Sequence, residues 1–288
     1  MKNPPPLKEF LDRKVEEYNQ PSFIPHDPVS VPHLFTKKQD IEIAGFFAAI
    51  FAWGNRTTII QKATELMRLM DMSPYEFVTQ HKEKDLKQLL AFKHRTFNTT
   101  DLLYFIQFLQ HHYKQHDSLE RAFTDFAPKE EAEFSGRGAR TQSNSLRPGA
   151  FARKQNIIDD GEPVEYALNY FYNYFFSLED APARTHKHIA SPAKHSTCKR
   201  LNMFLRWMVR KDDRGVDFGI WKKITPAQLI CPIDVHVARV AKRFGLVQRS
   251  QVDWLTALEL TQCLRRMDAS DPAKYDFALF GLGVMEKF

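Results

Sequence analysis

Along most of the chain, apolar residues recur at intervals of three and four, in stretches separated by Pro, Gly, Asn and Asp, while strict alternation of apolar and polar positions is scarce. That period belongs to amphipathic helices rather than half-buried strands, so the spacing predicts an all-α fold. Residues 6–19 read as a short polar helix, followed by an extended Pro-rich lead-in over 20–34. Thr36 and Asp40 are the candidate caps of the next helix. Its run at 41–52, Ile-Glu-Ile-Ala-Gly-Phe-Phe-Ala-Ala-Ile-Phe-Ala, is apolar nearly all round and so belongs in the middle of a bundle. Trp53-Gly-Asn-Arg56 breaks it, and Thr57 or Thr58 starts an amphipathic helix through Met70. Further helices are expected at 73–80, 84–91, 99–115 and 117–126. Residues 128–160 are polar, Gly- and Ser-containing and aperiodic, which predicts a long exposed or partly disordered insert. Order resumes over 164–178, where Tyr166, Tyr170, Phe171, Tyr172, Tyr174, Phe175 and Phe176 predict a helix packed into the core.

Two later segments combine helical period with candidate chemistry. At 231–246, Pro232 fixes the approach, Asp234 stands where an N-cap belongs, and Val237, Val240, Ala241 and Phe244 form an apolar face before Gly245 stops the helix. His236, Arg239, Lys242 and Arg243 are left to water or to a phosphate backbone. In the second part of 184–210, Leu201, Phe204, Leu205 and Met208 make a buried stripe, Arg200, Arg206 and Arg210 fall away from it, and Ser196 or Thr197 can cap the start. Lys199 then sits in the first turn, where its charge opposes the helix dipole; a neighbouring anion would rationalise it. Asp234 as a mere cap, and Lys199 as a solvated surface lysine, are the structural alternatives to any chemical role.

Charge sharpens this picture because it is uneven. The 288-residue chain carries a net +6, yet 184–249 holds fifteen Lys or Arg against four acids, a local +11 that leaves about −5 elsewhere. Such a block suits a row of phosphates, although it also suits plain solvated surface. With no run of about 18 apolar residues and no apolar stretch at the N-terminus, a cytoplasmic protein without membrane contact is expected. Cys198, Cys231 and Cys263 are odd in number and widely spaced, which argues against a disulfide framework, a four-cysteine zinc site and an iron–sulfur cluster; no cofactor or metal is expected.

Taken in order, these pieces resemble the helix-hairpin-helix DNA glycosylase superfamily, and more closely a bacterial family of uncharacterised conserved proteins. Pro-Ile-Asp-Val-His-Val-Ala-Arg-Val at 232–240 is similar to the superfamily pattern V-D-x-H-x-x-R-V, which puts Asp234 at its catalytic aspartate. Cys-Lys-Arg-Leu-Asn-Met-Phe-Leu at 198–205 is similar to R-K-T-A-x-x-V-L, which puts Lys199 at its lysine. The apolar helix running into Trp53 resembles the segment from which a side chain is inserted into DNA, and Tyr275-Asp-Phe-Ala-Leu-Phe-Gly-Leu-Gly resembles the closing core helix. The likeness spans most of 36–284. The superfamily hairpin reads L-P-G-V-G, whereas this chain has Ala193-Lys-His-Ser-Thr197, without glycine.

The resemblance implies a two-lobed helical bundle with a cleft between lobes: one lobe over 36–210, with 128–160 as its flexible insert, and a second from 1–35 and 211–288 carrying Asp234. It implies a base-excision protein acting as a monomer on double-stranded DNA with a damaged or modified base. Asp234 would stabilise cationic character on the sugar or activate water. Lys199 would either form a Schiff base and add strand cleavage, or hold phosphate. Trp53 would be the wedge, with Trp207 and Trp221 as pocket candidates, and Asn55, Arg56, Lys194, His195, Arg200, Arg206, His236 and Arg239 would contact DNA. Two alternatives stand beside it: a non-catalytic nucleic-acid-binding protein on the same scaffold, and a metal enzyme using His186, His188, His195 and Cys198.

Overall fold

The helical period is met by eleven α-helices and no strand in a computed structural model that describes residues 6–125 and 162–288; the insert expected at 128–160 falls outside these residues. In chain order the helices are α1 (Leu7–Tyr18), α2 (Lys38–Phe51), α3 (Arg56–Leu69), α4 (Pro74–Gln80), α5 (Thr99–Tyr113), α6 (Arg121–Thr124), α7 (Pro163–Phe175), α8 (Lys199–Val209), α9 (Val235–Arg243), α10 (Trp254–Arg265) and α11 (Tyr275–Val284). No helix among the described residues is long and apolar enough to cross a membrane.

The expectation for α2 holds: Ile41 through Phe51 are all buried, and the helix packs on α3, α4 and α8. Phe46 alone meets Phe105, Phe171, Phe175 and Phe204, which ties α5, α7 and α8 around it. One of its two acidic residues lies in the buried stretch. Glu42 is fully buried and accepts hydrogen bonds from Ser118 Oγ (2.5 Å), Trp221 Nε1 (2.7 Å), Tyr113 Oη (2.9 Å) and the Leu119 amide (2.9 Å), the saturation that a buried carboxylate requires. Trp221 and Trp207, both buried, thus belong to the core and not to a pocket wall.

Several local expectations are corrected. The lead-in over 20–34 is not extended: its prolines open three 3₁₀ turns, Pro21–His26, Pro28–Ser30 and Pro32–Leu34, because a fixed φ near −65° fits a tight turn as well as an extended strand. Neither Thr36 nor Asp40 caps α2; Asp40 lies in its first turn and accepts from the Tyr75 amide at 2.8 Å, pinning α4. Asn55, not a threonine, caps α3 through its side chain (Thr58 amide, 3.1 Å). Residues 83–89 form a 3₁₀ rather than an α-helix, and the helix expected at 117–126 is confined, among the described residues, to the four of α6.

Chain ends meet. α1 packs along α11, where Gly281 admits the Tyr18 ring: a Cβ there would stand 2.2 Å from it. α11 in turn packs on α9, and Gly283 allows the contact, since a Cβ there would come within 3.1 Å of His236 Cβ. α2, α3 and α8 on one side and α9 and α11 on the other leave a hollow between them.

Candidate functional site

That hollow is a cleft of about 810 Å³, within the roughly 300–1,000 Å³ range of ligand sites. Its walls come mainly from five parts of the chain, with Val252 as a sixth contact: Phe23, Asp27 and Pro28; the break from Ala52 to Arg56; Lys199, Arg200, Met203 and Arg206 of α8; Pro232 to Val237; and Asp276, Phe280 and Val284 of α11. Apolar faces therefore alternate with three carboxylates and four cationic side chains.

Asp234 enters the cleft from the start of α9. Pro232 and Ile233 are buried, so the chain arrives fixed, and Asp234 in extended backbone turns into the helix as its N-cap. One carboxylate oxygen, Oδ1, accepts the amides of His236 (2.9 Å) and Val237 (3.0 Å). These are two of the orphan donors of a helix start, so the charge is stabilised by backbone and dipole together. Its other oxygen has no hydrogen-bond partner among the described residues and is left for the half-open cleft. Capping and chemistry are compatible here because each uses a different oxygen.

Lining the same cleft, α8 starts differently. The expected Ser196 or Thr197 cap does not form; the N-cap is Cys198, in the left-handed region (φ +50°) and without a side-chain cap. His195 is left-handed too (φ +58°), closing the 3₁₀ turn Pro192–Lys194. Neither residue is a glycine, and each accepts the left-handed conformation at a cost of about 1–2 kcal/mol. Lys199, the first residue of α8, lines the cleft half-buried, and no carboxylate among the described residues lies within ion-pairing distance of it.

Arg200, Arg206 and Arg210 do not fall away from the buried stripe as expected. Arg206 and Arg210 are each 3% exposed. The Arg206 guanidinium is bonded to Asp276 and lies 3.3 Å from Asp217, with the Phe277 ring 4.2 Å away. Arg210 bonds Asp217 (3.1 Å), Asp271 (2.8 Å) and Asp212 (2.6 Å). Burial opposes the charge of both arginines, and the carboxylates more than restore it. Arg200 donates to the Ile50 carbonyl at 2.6 Å, satisfying the C-terminal end of α2, and its burial pulls the guanidinium down to about 10. These arginines hold the fold and the cleft wall; only part of the basic block remains for an external anion.

Two cleft carboxylates escaped sequence reasoning. Asp27 is 6% exposed and accepts the Val29 amide at 3.0 Å; burial raises it above the usual carboxylate range. Asp276, 7% exposed in the first turn of α11, is pushed up to about 6, chiefly by burial and with the Asp234 charge adding to it, against the pull of Arg206 and Lys199. An acid inside Tyr-Asp-Phe-Ala-Leu-Phe-Gly-Leu-Gly was the available signal, since an ionisable residue in an apolar helix needs a partner or a role.

Of the residues expected to touch DNA, Trp53, Asn55, Arg56, Arg200, Arg206 and His236 line the cleft, whereas Lys194, His195 and Arg239 do not. Trp53 is half-buried beneath Arg95, 4.5 Å from its ring. Arg56 lies over Phe280 at 5.0 Å. Arg239 is held by the carbonyls of Gly283 (2.8 Å) and Phe288 (3.0 Å). Lys194 reaches the Tyr172 hydroxyl, which bonds His186 Nδ1 at 2.6 Å. His188 instead faces buried Asp101 at 3.3 Å, and Cys198 is a buried thiol pushed up to about 12 by that burial. His186, His188, His195 and Cys198 therefore do not converge, and no group of three His, Cys, Asp or Glu among the described residues is placed to hold a metal.

Residues 27–285 match the family described as "Protein of unknown function (DUF2400)", and the chain belongs to it. No curated protein and no solved structure matches the chain.

Proposed function

We propose that this DUF2400 chain is a cytoplasmic base-excision protein of the DNA N-glycosylase type, working as a monomer on double-stranded DNA with a damaged or modified base. The observation that carries the reading is the convergence of Asp234 and Lys199, 35 positions apart in sequence, on one cleft large enough for an extruded nucleotide. The packing of α1 on α11 and of α11 on α9 supports a second lobe built from both chain ends, with the cleft between it and the α2–α3–α8 side.

In this reading the free oxygen of Asp234 faces the sugar from which the base departs. Cationic character grows there as the C1′–N bond lengthens, and a carboxylate fixed by two amides stabilises it with little reorganisation. Lys199 takes either of two roles: its amine attacks C1′ and gives a Schiff base, or its ammonium holds a phosphate beside the helix start. Trp53, which lines the cleft, fills the gap left by the flipped base, and Arg56 contacts the DNA beside it.

The test is a panel of duplexes carrying damaged bases, incubated with the protein and then with borohydride. Base release by wild type, lost by about 100-fold or more in Asp234→Asn, is the expected result; a covalent adduct absent from Lys199→Ala assigns the Schiff base. Wild-type protein that binds duplex but releases no base, with Asp234→Asn binding equally well, replaces the enzyme by a non-catalytic nucleic-acid-binding protein on the same scaffold.

A further inference from the structure

Resting on the base-excision reading, the geometry points to Asp276 as a second catalytic residue, the acid that gives a proton to the departing base. Asp276 lines the same cleft as Asp234 but in an opposite setting. Asp234 is half-buried and has its charge held by two backbone amides. The Asp276 side chain is 9% exposed and rests among the apolar residues of α11; one oxygen bonds Arg206, and the other makes no hydrogen bond among the described residues. Two carboxyls in one cleft, one held by helix-start amides and the other sunk among apolar residues, divide naturally into a charged and a protonated partner.

The charged groups around Asp276 set the direction. From α8, Arg206 and Lys199 favour the carboxylate. From the segment preceding α9, Asp234 favours the acid, as does Asp217 behind Arg206. Cys231, buried and pushed well up, is neutral and adds no charge. Asp27 reaches Asp276 only through Arg206, whose charge both carboxylates share. Burial outweighs the two cations, and Asp276 keeps its proton to about pH 6.

The step balances with water as the one co-reactant. The C1′–N bond breaks with its electron pair passing to the base, and the base takes the proton of Asp276. Water adds its oxygen to C1′ and gives a proton to Asp234. Solvent then removes that proton and restores the one on Asp276. Arg206, anchored in turn by Asp217, is the positioning residue that aims the Asp276 carboxyl.

The experiment compares bases that need a proton to leave with bases that need less help. Single-turnover release is measured from duplexes carrying uracil, 5-fluorouracil, hypoxanthine or 2-fluorohypoxanthine, the fluorinated base of each pair leaving as the more stable anion. For the accepted pair, Asp276→Asn is expected to lose about 100-fold on the ordinary base, the lower range of general-acid catalysis, and under about 3-fold on the fluorinated one. The wild-type rate on the ordinary base falls as pH rises through 6, and the Asn variant is flat there. Asp276→Glu, which retains a carboxyl, restores part of the difference. Equal losses on both bases with an unchanged pH profile overturn this role for Asp276 while leaving base excision standing. Release of none of the four bases, nor of any in the wider panel, by wild type sinks base excision itself, and this inference with it.

Discussion

Two helix starts line the same cleft, and they are built on contrary terms. α9 begins as local chemistry prefers: buried Pro232 and Ile233, an aspartate cap, and two amides satisfied by one oxygen. α8 begins with a left-handed cysteine, no side-chain cap, a second left-handed residue three positions earlier, and a lysine on the positive end of the dipole. Each of these disfavours the helix start by about 0.3–2 kcal/mol. A start so unfavourable persists only because surroundings fix it: Asn202 Nδ2 donates to the Thr197 carbonyl (3.0 Å), Arg200 to Ile50, and Arg206 to the acids behind the wall. Strain of this kind, seen at the rim of a cleft, directs attention to function there.

The largest effect is expected where the two starts are joined. Arg206 connects α8 to α11, and α11 packs on α9. Arg206→Ala takes from buried Asp276 the only cation that bonds it among the described residues and leaves Asp217 to Arg210 alone, so urea denaturation should show a loss of about 3–5 kcal/mol. A loss under about 1 kcal/mol would mean that α8 is not held from behind in this way, and the contrast between the starts would need another cause.

Next come two substitutions of one residue that separate its roles. Asp234→Asn keeps the cap, since asparagine serves as well as aspartate there, and should leave stability within a few tenths of a kcal/mol while abolishing base release. Asp234→Ala loses the cap as well, costing about 1 kcal/mol. Equal stability in both variants would show that the two amides of α9 do not depend on this carboxylate.

The same contrast explains how much could be read without coordinates. α9 was legible because every device it uses is local: proline, cap, three- and four-residue spacing and a terminal glycine lie within Cys231 to Leu246. α2 was legible for the same reason. What α8 uses is distant. Arg206 finds its partners 11 and 70 positions away, so a charge that reads as surface or phosphate-binding is in fact part of the interior. Asp27 and Asp276 were hidden likewise, being meaningful only once the 3₁₀ turns near the N-terminus and the last helix fold against α8 and α9. α10 went unnoticed although Asp253 and Thr256 close a capping box at its start, because Val252 and Leu255 are exposed and blur the apolar period.

A smaller effect is expected at Lys199. Removing a cation from the first turn in Lys199→Ala should raise stability by up to about 1 kcal/mol while any borohydride-trapped adduct disappears. A loss of stability instead would reveal a partner for this lysine that the cleft geometry lacks.

The smallest effect tests the turn that precedes it. His195 holds φ +58°, which glycine adopts freely, so His195→Gly trades about 1–2 kcal/mol of left-handed strain against the 0.5–1 kcal/mol of chain entropy that glycine adds to the unfolded state. A net gain of roughly 0.5 kcal/mol should follow in thermal unfolding. Because His195 lies outside the cleft, the variant also separates geometry from contact. On the base-excision reading, duplex affinity that falls between 50 and 200 mM salt despite the stability gain assigns the imidazole a contact with the phosphate backbone, and affinity unchanged from wild type removes His195 from the residues whose side chains bind DNA.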